Sequence, residues 1–188
     1  LNILANAMTY VPNLHWSGTD KIEMYVEDET GVQSNVSTIK MIVSDINDAA
    51  IVKLPMLDGI PMLNAVEDKA TLITGVKIID VDLGPYSTLE LSIRPGNGTV
   101  TFSSTKGIKY SKEKNVFHGQ LDALNRALRG IMYKGNNNFA GFDTIEFSVS
   151  EPGAQAKTTA VTLWVNLQAV NDMPVIQSKN VSAIITHS

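Results

Sequence analysis

Cysteine is absent from the 188 residues. That excludes a disulfide scaffold, a zinc–thiolate site and a cysteine nucleophile, though it does not identify the compartment. Charge excess of either sign is small. Fifteen Lys and Arg stand against 19 Asp and Glu, a formal net charge of −4. This is too mild for an acidic tail and has the wrong sign for general nucleic-acid binding. No apolar run is long enough to cross a bilayer, and no signal-peptide pattern opens the sequence. The opening residues read as the middle of a domain, so the expectation is a chain cut from something longer. Histidine is sparse: His15, His118 and His187 are scattered, and none stands with an acid and a nucleophile in a recognisable order. No Gly-rich phosphate loop follows a strand. The expectation is that the chain is not an enzyme.

What the chain has instead is repetition. A shift of 123 lays Tyr10 on Tyr133, Asn13 on Asn136, Gly18 on Gly141 and Asp20 on Asp143. Ile22, Glu23 and Val26 fall on Ile145, Glu146 and Val149, and Trp16 meets Phe139. One extra residue in the later copy then brings Asn47-Asp48 onto Asn171-Asp172. Residues 1–48 therefore read as the C-terminal part of one unit. Residues 49–172 read as a complete unit of a size normal for a β-sandwich, and residues 173–188 as the start of a third.

Period-two alternation predicts strands over 19–27, 37–43, 143–149 and 158–166, with others at 71–79, 88–93 and 99–103. Only 120–129 has helical spacing. Leu121, Leu124, Ala127 and Leu128 share a face, with Gly130 at the expected C-terminal cap. Gly18 and Gly141 read as tight turns, with Trp16 and Phe139 as core plugs beneath them. The fold class is all-β: tandem Greek-key sandwich repeats with one short helix in the complete unit. Met41, Met56, Met62 and Met132 read as core filler.

Short oxygen side chains crowd the joints between units. Ser44-Asp45-Ile46-Asn47-Asp48 closes the first copy, and Val170-Asn171-Asp172 closes the second. Such clusters suit a hard cation such as calcium; the alternative is a polar linker with turn-forming Asn and Asp. Three sequons occur, at Asn35, Asn97 and Asn180. Roughly two are expected by chance at this composition. Asn97 is the best candidate, because Gly96-Asn97-Gly98 reads as an exposed hairpin turn.

The order of Val66-Glu67-Asp68, Asp80-Val81-Asp82, Tyr133, Gly141-Phe142-Asp143 and Val170-Asn171-Asp172-Met173-Pro174 resembles a cadherin-like β-sandwich repeat. It is closest in style to the divergent repeats of large surface proteins of bacteria and protists, mastigoneme filament proteins among them. The resemblance implies a seven-strand Greek-key sandwich with calcium between consecutive units. It implies ligands at the first joint from Asp20, Asp45, Asn47, Asp48, Asp80, Asp82 and Glu151, with the Ile46 carbonyl. At the second joint it implies Glu67, Asp68, Asp143, Asn171 and Asp172. Ala169 replaces Asp45 there, so weaker or no metal is expected. Asp28 should face the joint before the first copy.

The function implied is a structural or adhesive repeat of a large extracellular or cell-surface protein, stiffened by calcium and part of a filament in one reading. Its partners would be neighbouring repeats of the same chain. Homophilic or filament-forming contacts could be made through an exposed late strand. No nucleic acid or membrane contact is expected. The alternative is a carbohydrate-binding module using Trp16, Tyr86, Tyr110 and Trp164 as sugar platforms.

Overall fold

The computed structural model describes residues 8–152 and 156–173. Ahead of the first joint stands a hairpin of β1 (Gly18–Met24) and β2 (Ser37–Val43). The complete unit runs β3 (Ile51–Lys53), β4 (Met56–Leu57), β5 (Ile60–Val66), β6 (Thr71–Leu72), β7 (Lys77–Ile79), β8 (Thr88–Pro95) and β9 (Gly98–Phe102). It continues with β10 (Ile108–Ser111), β11 (Val116–Gln120), α1 (Leu121–Leu128), β12 (Ile131–Gly135), β13 (Gly141–Ser150) and β14 (Thr158–Gln168).

One seven-stranded sheet has the order β10-β11-β8-β13-β14-β5-β4. A second layer is made of β6-β12-β9 and of β3-β7. Ile145, Phe147 and Val149 of β13 and Leu163, Val165 and Leu167 of β14 alternate into the space between the layers. They meet Ile73, Ile78, Ile131 and Tyr133 from the other side. Each such side chain contributes about 1.5–3 kcal/mol of burial, so this double row carries much of the unit's stability. The fold class is all-β, a sandwich with one helix.

The repeat is visible in the ladders themselves. Glu23 stands opposite Thr38 and Ile22 opposite Ile39. Moving β1 by 123 and β2 by 124 gives Glu146 opposite Thr162 and Ile145 opposite Leu163, the pairs that β13 and β14 make. The two hairpins share register but not cover. Met24 is 37% and Ile39 38% exposed, whereas Phe147 and Leu163 are fully buried.

Helix α1 buries Leu121, Ala123, Leu124, Ala127 and Leu128, the expected face and one residue more. Its first-turn N–H groups are taken by the carbonyls of Ser87 and Pro85, which replaces a side-chain cap. Asn125 sends its amide to both main-chain groups of Ile78 and so closes the edge of β7.

Several local expectations are corrected. The strand expected over 71–79 is two, β6 and β7, in different sheets, divided at Gly75. Gly96-Asn97-Gly98 is no hairpin turn: β8 pairs with β11 and β13 while β9 pairs with β12, so the chain crosses between layers there. Gly130 is not the cap, which is Arg129 in helical geometry. A Cβ on Gly130 would fall 1.7 Å from Ser103 Oγ, and close approach is what the glycine serves. The late strand β14 is covered by β13 on one side and by β5 only from Trp164 to Gln168 on the other, so among the described residues 158–163 keep one side unpaired; the outermost strands of that sheet are β10 and β4. Met56 is 61% exposed and is not core. Gly18 and Gly141 do sit at positive φ, 139° and 118°, where a side chain is strained. Phe139 packs against the core, whereas Trp16, although it lies under Gly18, stays 38% exposed.

Candidate metal joint

At the first joint the linker is held from two loops of the complete unit. The loop after β7 supplies Asp80 and Asp82. Asp80 Oδ1 accepts the N–H groups of Asp82 at 2.8 Å and Leu83 at 2.9 Å. That braces the loop carrying Asp82, whose Oδ2 accepts the N–H of Asp48 in the linker at 2.5 Å. The other oxygen of Asp80, Oδ2, is buried and has no hydrogen-bond partner among the described residues. An unpaired buried carboxylate oxygen is costly, so this atom is the anomaly of the site.

The second loop, after β13, supplies Glu151, only 6% exposed. Its Oε1 accepts the buried N–H of Ala50 at 2.9 Å, and its Oε2 accepts the Asn47 side-chain amide at 2.7 Å. Lys157, at the far foot of the same loop, donates its ammonium to the Asn47 carbonyl. On the solvent side, His15 Nδ1 lies 2.8 Å from Asp48 Oδ2. Both partners are more than 40% exposed, so the pair contributes little. Asp45, Asp48 and Asp82 line a cleft of about 390 Å³ whose other wall carries Val11, Leu14 and Trp16.

The joint therefore brings Asp45, Asn47, Asp48, Asp82 and Glu151 together from three segments, with Asp80 bracing the loop that carries Asp82. Asp20 is not drawn in. Its Oδ2 accepts the Tyr10 hydroxyl at 2.8 Å and its Oδ1 the Lys21 N–H. The Tyr10 bond, then the Lys21 bond, hold this carboxyl below the usual range. Asp28 is exposed and caps its own turn. Its Oδ1 accepts from Thr30 and Val32, with the Thr30 hydroxyl the largest cause of its lowered pKa.

At the second joint Glu67, 5% exposed, accepts the N–H of Val170 with Oε1. This repeats at one end of the unit what Glu151 does at the other. Asp68 accepts the N–H of Asn138 at 3.2 Å, and Asn171 and Asp172 lie exposed on the linker. Asp143 stands at this end of β13 but is turned inward and 4% exposed. Its Oδ2 accepts the Tyr133 hydroxyl at 2.6 Å and its Oδ1 the Asn97 N–H at 2.8 Å. Both oxygens are occupied by the unit's own donors, so Asp143 is a lock within the fold. The Tyr133 phenol is pushed well above its usual pKa by burial, then by Asp143.

The Tyr133–Asp143 bond is the same bond as Tyr10–Asp20, one repeat later. The signal for it lies in the sequence: Tyr and Asp ten residues apart in both copies.

The donor set at the first joint fits a hard cation in kind, since the convergent side-chain groups other than His15 and the Lys157 ammonium are oxygens or an amide. Among the described residues, no three His, Asp or Glu side chains form a ready metal cage, so binding would need side chains to turn. Asn97 and Asn35 are exposed; Asn180 and His187 lie outside the described residues, as does the third unit expected from residue 173 onward apart from Met173 itself.

A family profile described as Protein GAMETE EXPRESSED 2 domain matches residues 97–160, about a third of the chain. No curated protein matches. Among solved structures the chain is similar to mouse clustered PcdhgC3 EC1-3, at 15% identity and TM-score 0.41, covering 81% of this chain and 42% of that one. It is similar to human CDH23 EC21-23 at 12% identity and TM-score 0.39, covering 80% and 43%. Human mucin-like protocadherin EC1-2 gives 12% identity and TM-score 0.39, covering 87% and 74%. The chain thus spans less than half the length of the first two. These likenesses add nothing to the fold beyond what its own strand order gives.

Proposed function

We propose that the chain is a structural segment of an extracellular tandem-repeat protein, with adhesion or filament assembly as the role of the whole. In this reading calcium holds the joint between the first hairpin and the complete unit. One observation carries it: the buried Oδ2 of Asp80, without a partner among the described residues, on the loop whose Asp82 holds the linker. Asp45, Asn47, Asp48, Asp80, Asp82 and Glu151 would hold the ion. Bound there, it would supply the positive charge that several clustered carboxylates need if they are to stay ionised side by side. The chain's own groups already do part of the work. Glu151 and Asp82 fix the Ala50 and Asp48 amides, so the linker enters the complete unit in one direction.

The second joint lacks an equivalent of Asp45, and Asp143 is committed to Tyr133. We assign it no more than weak binding, through Glu67, Asp68, Asn171 and Asp172. Exposed Asn97 and Asn35 would be open to glycosylation in that compartment.

The test is thermal unfolding and small-angle scattering in EDTA and in calcium. A hundredfold excess of calcium over its dissociation constant adds about 2.7 kcal/mol and narrows the range of joint angles. Identical melting and scattering in both buffers would sink the reading.

A carbohydrate-binding module is the second reading, and one observation favours it. Trp164 is 45% exposed on the outer face of the large sheet, paired across to Thr144 and Met62. A glycan array with the Trp164→Ala variant as control separates the two.

A further inference from the structure

The first joint carries a cation of its own. Lys157 donates its ammonium to the main-chain oxygen of Asn47, the linker residue whose side-chain amide is held by Glu151. The lysine is fixed from behind, because its own carbonyl accepts the Glu151 N–H at 3.1 Å. Glu151 and Lys157 thus face the linker together from the two feet of one loop. Acids are plentiful nearby, yet among the described residues Lys157 makes no ion pair with any of them. Its charge is directed at a carbonyl oxygen. A carbonyl beside clustered carboxylates is the type of oxygen that a hard cation takes, and here an ammonium takes it.

We propose that Lys157 is a tethered counter-ion of the joint. It orders the stretch from Asn47 to Ala50 when no metal is bound, and it competes with a divalent ion for the same place. Only the competition rests on the calcium reading; the ordering does not. The consequence is a joint that stays directed at low calcium and binds calcium more weakly than its acids alone would.

The test uses the whole chain with Lys157→Met, which keeps length and apolar stem, and Lys157→Arg, which keeps the charge. Calcium is titrated calorimetrically into each. Exchange of the Asp48 and Ala50 amides is followed in EDTA. Removing a unit charge a few ångströms from a divalent ion should tighten calcium binding about tenfold in Lys157→Met. Amide exchange in EDTA should quicken severalfold, and Lys157→Arg should stay near the parent in both. Equal or weaker calcium binding by Lys157→Met overturns the proposal while leaving the calcium reading intact. If neither protein binds calcium, that reading fails and exchange alone decides. Faster exchange in Lys157→Met then supports the tether, and unchanged exchange overturns it.

Discussion

Replacing Tyr133 by Phe removes one oxygen from the interior of the complete unit. The ring is fully buried and would stay in place, so no cavity opens. What is lost is a 2.6 Å bond from a phenol to a carboxylate that is 4% exposed. Bonds to charged groups are worth about 1.5–3 kcal/mol. We expect a loss of about 2 kcal/mol at neutral pH and a melting temperature lower by roughly 5–10 °C. The pH dependence gives a second readout. Burial first, then the bond to Asp143 and its charge, raise the phenol's pKa above the 10.0 of a free tyrosine. The folded state therefore resists ionisation that the unfolded state undergoes. The resulting stability is complete below about pH 10 and is lost as pH rises toward the folded value, at about 1.4 kcal/mol per pH unit. Phe has no such group, so the parent's advantage over the variant should shrink above about pH 10 and vanish near pH 11–12. Urea unfolding of both proteins at pH 7, 9, 10 and 11 measures it. A gap under about 0.5 kcal/mol at pH 7, or one that does not change with pH, refutes the reasoning.

Glu151→Ala strands the buried N–H of Ala50 and frees the Asn47 amide; a loss of about 2–4 kcal/mol is expected in urea unfolding. Gly98→Ala would put a Cβ 2.6 Å from the Lys134 carbonyl and from the Tyr133 ring, and overpacking of that kind costs about 1–3 kcal/mol. Its melting point should fall together with protection of the Asn97 amide. Asp80→Asn keeps an oxygen for the two loop amides and turns an NH₂ toward the buried site. The unfolding free energy gained on adding calcium should drop from about 2.7 to under about 1 kcal/mol, with little change in EDTA.

How much of this is legible in the sequence depends on what each element buries. The β13–β14 hairpin and α1 stand out because one face of each meets an apolar partner, which forces period two in β13 and β14 and period 3.6 in 121–128. Strands β10 and β11 do not stand out. Between them run Lys112, Glu113, Lys114 and Asn115, and β10 lies at a sheet edge where the outer side needs no apolar residues. The split of 71–79 is hidden because Ile73, Val76 and Ile78 are all buried although the chain changes sheet among them.

The acids separate along a different line. A carboxylate's place in sequence does not say which donor reaches it first. Asp143 and Asp20 carry the same spacing from an aromatic hydroxyl, and in both copies that hydroxyl takes the oxygen. Glu67 and Glu151 lie at opposite ends of the unit, and both are spent on a linker N–H. Asp80 is the one among these with a buried oxygen that no protein donor reaches. Counting acids at a joint overstates its capacity for metal, because folding assigns most of them to its own amides and phenols. The residue that remains unpaired after that assignment is the one whose substitution tells a cation site from a polar turn.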